Sequence, residues 1–240
     1  MALTTTKIDQ IHSQTDASSY AFTAKTYTAN LLYVIFTNTS VASGAPPTVT
    51  GVASANVTFA EIGTAGGVVY DTVRRIQAWY VIPGSTFAGE TVTITCNGTS
   101  TGMDASNIEV NGHDTSGTIV QNATNGATSG TSLTVTLSAF GNSNNRPMAY
   151  FGHRANEATT EGTGYTELDD GNHASPSAGS ETIWHSSSAD TTPNASWVTN
   201  SANGGFAIEI KAATAAAAIV EAQFQGLERG MGNGMFRGMR

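Results

Sequence analysis

The chain has one cysteine, few charged residues and no long apolar run. A single thiol, Cys96, excludes an intramolecular disulfide framework and cysteine-rich zinc sites. Charged residues make up 12% of the sequence, about half the usual share, so hydroxyl and amide groups must cover most of the surface. The longest apolar run, residues 31–36, has the length of a strand. It falls far short of the roughly 18 residues that a membrane span requires.

The beginning of the chain lacks the charged and then apolar pattern of a secretory signal peptide. We therefore expect synthesis in a cytoplasm without a classical export signal, and no membrane partner. The net charge of −8 also argues against a nucleic-acid partner, because phosphate binding requires a surface rich in Lys and Arg.

Short runs with strand-type alternation fill residues 18–211. Leu133, Val135 and Leu137 fall on one face, whereas residues 75–82 are apolar on both faces, as in a central strand. Gly, Pro, Asn and Asp separate the runs, and no helical period appears among them. About fourteen strands without helices predict an all-β fold. The predicted form is an antiparallel two-sheet jelly-roll sandwich of the concanavalin type, rather than a seven-strand immunoglobulin domain.

The two ends of the chain are distinct from this body. Residues 1–17 are polar and weakly patterned, which predicts an N-terminal arm or a first edge strand. Residues 1–211 hold seven Lys and Arg against sixteen Asp and Glu, whereas residues 212–240 hold three Arg against two Glu. We therefore expect the C-terminal part to serve a purpose different from that of the body.

Residues 212–228 are typical of one short helix that starts at Thr214, a suitable N-cap. Residues 229–240 are rich in Gly, Met and Arg, which predicts an extended basic tail that becomes ordered on binding. We interpret this part as an attachment device; whether the helix packs on its own body or on a neighbouring subunit stays open. The predicted interface residues are Val220, Phe224, Leu227, Arg229, Met231, Met235, Phe236, Arg237, Met239 and Arg240.

No catalytic constellation stands out. The nearest approach to the Glu-x-Asp-x-x-Glu strand of concanavalin-like glycanases is Glu167 with Asp169, but Asn172 stands where the second Glu is required. Residues 169–173, Asp-Asp-Gly-Asn-His, are the best metal candidate, yet they lack EF-hand spacing and predict a polar turn. We therefore predict no enzyme activity, no cofactor and no metal site.

The remaining reactive residues are isolated in sequence. No HxH or HExxH spacing occurs among the five histidines. His153 could pair with Glu157, although a hydrogen-bonded histidine at a strand end is the favoured interpretation. Arg74 and Arg75 beside Asp71 are interpreted as a solvated strand-end group, and the alternative is that they mark an interface.

Exposed aromatic side chains would indicate carbohydrate binding. Trp79 lies in the most apolar strand and is predicted to be in the core. Trp184 and Trp197 lie in polar strands, and they are the two possible contacts to a host glycan. Core packing is the favoured interpretation for each of them.

Eight segments of the chain carry a resemblance to known proteins: 47–52, 74–79, 91–95, 113–117, 131–140, 151–158, 164–168 and 204–213. Together they resemble a poorly characterised family of jelly-roll proteins of tailed phages. The similarity spans roughly residues 30–213. Members of this family are regarded as virion-associated modules that decorate capsids, form head fibres or belong to tails. The resemblance implies a jelly-roll fold and a virion role, and it brings no catalytic residues with it.

These observations favour a non-enzymatic structural protein of a phage virion, most of all an exterior capsid decoration protein anchored through its terminal arms. Its expected partners are other virion proteins, either capsid or tail proteins. A homo-oligomer is expected on general grounds, and a trimer by analogy with decoration proteins. The alternative is a carbohydrate-binding module of a tail or head fibre that adheres to the host surface.

Overall fold

The computed structural model describes residues 2–214, which form nineteen β-strands and no helix. No helix in this part of the chain could therefore cross a membrane. The predicted all-β, antiparallel class is confirmed. The strands are β1 (Thr4–Ser13), β2 (Ala17–Ala21), β3 (Lys25–Tyr27), β4 (Leu32–Ser40), β5 (Val49–Ala53), β6 (Ala60–Glu61), β7 (Val68–Val69), β8 (Arg74–Val81), β9 (Phe87–Glu90), β10 (Thr93–Ser100), β11 (Gly102–Asn111), β12 (Ile119–Ala127), β13 (Ser132–Thr134), β14 (Arg146–His153), β15 (Thr160–Glu161), β16 (Thr166–Ala174), β17 (Ser177–Trp184), β18 (Asn194–Ser196) and β19 (Asn203–Ile210).

The described strands lie in five sheets, whereas the sequence predicted two. Large sheet I has the order β1-β11-β4-β8-β6, with β7 also paired to β8, and small sheet I has the order β2-β10-β5. Large sheet II has the order β12-β19-β14-β17-β16, and small sheet II has the order β13-β18-β15. Strands β3 and β9 form a separate pair. Strands β1–β11 therefore make one half of the body, and β12–β19 make the other.

Both halves have the same strand order. In each large sheet, the first strand of the half lies beside the last strand. In each small sheet, the second strand lies beside the last but one. β1, β2, β4, β5, β6, β8, β10 and β11 thus correspond in turn to β12 through β19. The body is a duplicated arrangement, although the sequence shows no repeat of fixed period.

The matching segments Ile-Glu-Val at 108–110 and Ile-Glu-Ile at 208–210 align β11 with β19, so Ile108 corresponds to Ile208. Strand register then extends the residue correspondence to the neighbouring strands. Ile108 pairs with Val34 across β11 and β4, and Ile208 pairs with Met148 across β19 and β14. Phe36 lies two residues after Val34 on β4, and Tyr150 lies two residues after Met148 on β14. Phe36 therefore corresponds to Tyr150. These two rings stack on each other with centroids 5.7 Å apart and planes at 21°. Corresponding side chains that meet in this way indicate a pseudo-twofold relation between the large sheets.

Three apolar layers hold the sheets together, because both faces of the long central strands are buried. The middle layer lies between the two large sheets, and it includes Val34, Phe36, Ile108, Tyr150 and Ile208. The second layer lies between large and small sheet I, and the third lies between large and small sheet II. The Cys96 side chain is buried and belongs to the second layer with Val92 and Ile94.

The beginning of the chain forms an edge strand. β1 pairs antiparallel with β11 along nearly its whole length, with a register shift between Lys7 and Asp9. On the other side, β1 lies against β16, the edge strand of large sheet II. β1 and β16 therefore close one side of the interface between the two halves.

Candidate functional site

Both ends of the described chain lie at one place on the body. The Ala213 N–H donates to the Gly112 carbonyl oxygen at 2.8 Å, and Ala212 forms a β-bridge with His113. A side chain at Gly112, which has a φ of +79°, would bring its Cβ within 2.3 Å of the Ala2 carbonyl oxygen. Leu3 and Ala212 are buried in the same middle layer. Residues 212–214 therefore lie next to the start of the described chain.

The predicted helix and tail can be followed only over their first residues. Residues 212–214 are extended and not helical. The rest of the predicted helix, residues 215–228, and the tail, residues 229–240, lie outside the described residues. The same holds for every interface residue predicted from the sequence, from Val220 to Arg240. Their role stays a prediction.

The two tryptophans considered for glycan binding are buried. Trp184 is 3% exposed and belongs to the middle layer. Trp197 is 6% exposed; its ring stacks on His153 at 4.7 Å, and its Nε1–H donates to the Gly130 carbonyl oxygen at 2.9 Å. Neither ring presents a face to solvent, in line with the core packing that the sequence favoured.

The segment considered as a metal loop is a strand. Residues 169–173 lie within β16, where Asp170 pairs with Glu181 and His173 pairs with Ala178. Strand alternation directs Asp169, Gly171 and His173 toward large sheet I, and the residues between them toward the opposite face. The predicted polar turn was wrong, because pairing with β17 overrides the turn preference of these residues. Their oxygen atoms therefore cannot converge on one ion.

Where β1 and β16 close the interface, a buried ionic network joins the two halves. His12 Nδ1 lies 3.0 Å from Asp104 Oδ1, and His173 Nε2 lies 3.1 Å from Asp104 Oδ2. Lys7 Nζ donates to Asp169 Oδ1 at 3.1 Å, and His12 Nε2 lies 3.6 Å from the same oxygen. Asp104, Asp169 and His173 are almost fully buried. Each buried carboxylate thus has a cationic or N–H partner, as buried charges require.

The network sets the charge of its members. Burial alone lowers the pKa of His12, but hydrogen bonds and charge from Asp104 and Asp169 outweigh it and raise the pKa to about 9. Burial likewise acts to raise the pKa of Asp104, and the two histidines overcome it, so the pKa lies below its usual value. A Cβ at Gly171 would lie 1.9 Å from His12 Cε1. The glycine makes room for the imidazolium.

On the opposite face of large sheet II, three carboxylates meet. One oxygen each of Glu161 on β15, Glu167 on β16 and Glu181 on β17 lie within 4.8 Å of one another. Glu181 is fully buried, Glu161 is half-buried and Glu167 is exposed. Both carboxylate oxygens of Glu181 lack a hydrogen-bond partner among the described residues. The cluster therefore concentrates negative charge where one member has no donor.

Burial and mutual repulsion perturb this cluster. Burial is the main cause that raises the pKa of Glu181 to about 8, and the charges of Glu161, Asp170 and Glu167 add to it. Burial and the neighbouring carboxylates also raise the pKa of Glu167. The pKa of Asp170 is raised chiefly by burial. In the absence of a cation, Glu181 therefore keeps its proton near neutral pH.

The other residues singled out from the sequence have structural partners. His153 Nε2 lies 3.1 Å from Thr159 Oγ1, and burial lowers the His153 pKa to about 4. Glu157 instead accepts hydrogen bonds from the backbone and hydroxyl of Thr199. Both residues are thus satisfied locally, and the considered pair between His153 and Glu157 does not form.

The arginine pair at the start of β8 is not a solvated group. Arg74 is 2% exposed and bonds to Asp71 at 3.2 Å and to the Ser177 carbonyl oxygen. Arg154 binds the same Asp71 carboxylate at 3.3 Å. Arg74 thus ties β8 to the beginning of β17, a contact between the halves that the interpretation as solvated residues missed.

Sequence reasoning missed His12, Asp104 and Glu181 as site residues. His12 and Asp104 are 92 positions apart, so only the tertiary fold brings them together. For Glu181 there was a signal, since alternation places it on the same strand face as Ile183. A single acidic residue on an apolar strand face indicates either a protonated, neutral carboxyl group or a carboxylate that binds a cation.

No protein-family profile, curated protein or solved structure matches this chain. Its function must therefore be inferred from its own residues.

Proposed function

We propose that this chain is a non-enzymatic structural protein of a phage virion, an exterior capsid decoration protein that attaches through its C-terminal segment. The observation that carries the proposal is that both ends of the described chain lie beside Gly112, where the composition changes at residue 212. An appendage that starts from one end of a well-packed body can hold that body outward from a surface.

We further infer that each half is a jelly roll. When the eight corresponding strands of each half are numbered in chain order, the large sheet runs 1-8-3-6-5 and the small sheet runs 2-7-4. Adjacency of strands 1-8-3-6 in one sheet and 2-7-4 in the other is the jelly-roll pattern, with strand 5 transferred to the larger sheet. Viral capsid proteins use this architecture often. The strand order thus supports a virion role.

The composition of the body supports an assembly role as well. Charged side chains are scarce, and those near the interface between the halves are engaged in internal contacts. Attachment therefore falls to the C-terminal segment, where Met231, Met235 and Phe236 offer adaptable apolar contacts and the arginines offer positive charge. Other virion proteins, of the capsid or the tail, are the proposed binding partners.

Deletion of residues 229–240 tests this function. The shortened chain should remain folded, because its described body is intact, and it should disappear from the particle fraction of producing cells. The circular dichroism spectrum and unfolding midpoint report folding, and sedimentation followed by immunoblotting reports incorporation. A matched control replaces Arg229, Arg237 and Arg240 by Lys, which keeps the charge and should keep most of the incorporation. Undiminished incorporation of the deleted chain would refute the proposal.

A further inference from the structure

The carboxylate cluster between large and small sheet II is not used by the proposed attachment. Its three members come from three successive strands, β15, β16 and β17, so their convergence is a product of the fold and not of local sequence. One oxygen from each lies within 4.8 Å of the other two. Two oxygens bound to one ion at about 2.4 Å can be at most about 4.8 Å apart, so the spacing suits a shared cation.

We propose that Glu161, Glu167 and Glu181 form a binding site for a hard divalent cation, Ca²⁺ in preference to Mg²⁺ or Zn²⁺. Glu181 forms the floor of the site, because its side chain is fully buried and both its oxygens lack a hydrogen-bond donor among residues 2–214. Burial of a carboxylate without a partner is costly. A cation held against Glu161 and Glu167 supplies the missing partner.

The corresponding position in the first half shows that the fold does not itself demand an acid here. Glu181 pairs with Phe151 in the register that pairs Gln77 with Thr37. Gln77 is equally buried but fully bonded. Its Oε1 accepts from the Val49 N–H at 2.7 Å, and its Nε2 donates to the Val49 carbonyl at 3.0 Å and to Glu61 at 2.8 Å. An amide thus satisfies the site in one half, whereas a carboxylate faces two further carboxylates in the other.

The chemistry of the donors selects the cation. All three ligands are carboxylate oxygens, and the cluster contains no nitrogen or sulfur ligand of the kind that Zn²⁺ prefers. Glu167 is exposed and Glu161 is half-buried, so water can complete a coordination shell of 6–8 oxygens, as Ca²⁺ accepts. Mg²⁺ demands near-ideal octahedral geometry at shorter distances and gives up its own water reluctantly. Lys7 does not compete for the site, since its amine is bound to Asp169.

Titration of the full chain tests the site. The protein is first treated with EDTA and dialysed, and CaCl2 is then added up to about 5 mM while heat and the thermal unfolding midpoint are measured. With a dissociation constant on the order of 10⁻⁴ M, we expect one saturable site. Mass action then raises the unfolding midpoint by about 5 °C. MgCl2 should raise it far less, and ZnCl2 should produce no saturable binding at this site.

Variants connect the response to the cluster. Glu181→Gln should abolish the calcium response, whereas Asp16→Asn, which removes one charge from an exposed position elsewhere, should keep it. Glu161→Gln lies nearer the surface and should weaken affinity at least about tenfold, so it gives a result even if the buried variant fails to fold. The proposal is overturned if the folded wild type shows no saturable calcium binding. A full calcium response in Glu181→Gln, or an equal response to MgCl2, would also overturn it.

Discussion

The two halves of the molecule share a strand order but fill corresponding positions with different chemistry. At one buried position the first half has Gln77, bonded to backbone and to Glu61, and the second half has Glu181 without a donor. The architecture thus accepts either residue, because packing of the apolar layers and not this polar contact determines the sheets. This difference is the basis of the calcium site proposed for the second half.

The two sides of the interface between the halves show the same contrast. On one side, Asp104 is buried in the network with His12 and His173. The corresponding residue on the other side is Gly204, and a Cβ there would lie 2.5 Å from the ring of Tyr70. Tyr70 exchanges hydrogen bonds with Asn38 instead. At these corresponding positions, one side has a buried carboxylate that binds two histidines, and the other has a glycine that packs against an aromatic ring.

We expect the largest loss of stability from substitutions in the middle apolar layer, to which both halves contribute. Phe36→Ala and Tyr150→Ala each remove one ring of the stacked pair in the middle layer. Each should lower the free energy of unfolding by about 3–5 kcal/mol, from lost burial and the cavity left behind. Urea denaturation of both variants measures the loss. If only one of them is strongly destabilised, the two rings are not equivalent and the pseudo-twofold relation does not extend to energetics.

The difference between the halves is tested by exchanging Gln and Glu at the corresponding positions 77 and 181. Glu181→Gln should stabilise the calcium-free protein at pH 9, because the native pKa of about 8 exceeds the usual value and the ionised form is penalised. That penalty develops from about pH 4.5 to pH 8 as the pH rises, and Glu161, Glu167 and Asp170 contribute to it. We expect a gain of at most about 5 kcal/mol at pH 9 and almost none at pH 4.5.

Gln77→Glu is the opposite change in the first half. It replaces the donor to the Val49 carbonyl and Glu61 by an acceptor. The free energy of unfolding should therefore fall by about 3 kcal/mol or more at neutral pH. Denaturant unfolding of both variants at pH 4.5 and pH 9 is the measurement. Effects of the same sign in the two variants would contradict the proposed difference between the halves.

The ionic network predicts a pH dependence of its own. The folded pKa of His12 is raised to about 9, so its contribution to stability is complete below the unfolded value of about 6.5 and is lost as the pH rises through 9. The raised pKa corresponds to at most about 3 kcal/mol, and partial exposure reduces this to about 2 kcal/mol. His12→Gln in a Glu181→Gln background should remove the decline between pH 6.5 and 9, as measured by denaturant unfolding. A decline that persists unchanged would exclude His12 as its source.

The smallest expected effect concerns a tryptophan. Trp197→Phe keeps an aromatic ring near His153 but loses the hydrogen bond from Nε1 to Gly130. The cost should be about 1 kcal/mol, measured by urea denaturation. Trp184→Phe makes the same replacement of an indole ring by a phenyl ring in the middle layer and serves as a comparison. Millimolar glycan binding that either variant abolishes would instead restore the adhesion hypothesis.

Alternation along the chain was sufficient to predict the class of fold and several buried faces. Leu133, Val135 and Leu137 share a buried face as expected, because period-two patterns report directly on which side of a strand meets the core. The turn predicted at residues 169–173 failed, since local preference was weaker than pairing with β17. Propensity in strands depends strongly on such context.

The duplication could not be predicted because the halves share topology more than residues. Only short matches such as Ile-Glu-Val at residues 108–110 and Ile-Glu-Ile at residues 208–210 mark the correspondence. The candidate sites were hidden for a related reason. His12, Asp104 and His173 come from three strands that are distant in sequence, and no spacing rule relates them.

The most direct test of the attachment function is reconstitution. Particles from cells that lack this protein are mixed with the purified full chain or with a chain that ends at Thr214, and the bound fraction is measured by co-sedimentation. We predict saturable binding of the full chain and no binding of the chain that ends at Thr214, with equal unfolding midpoints for the two. Equal binding of both chains would show that the body itself carries the contact and that the C-terminal segment is not the attachment device.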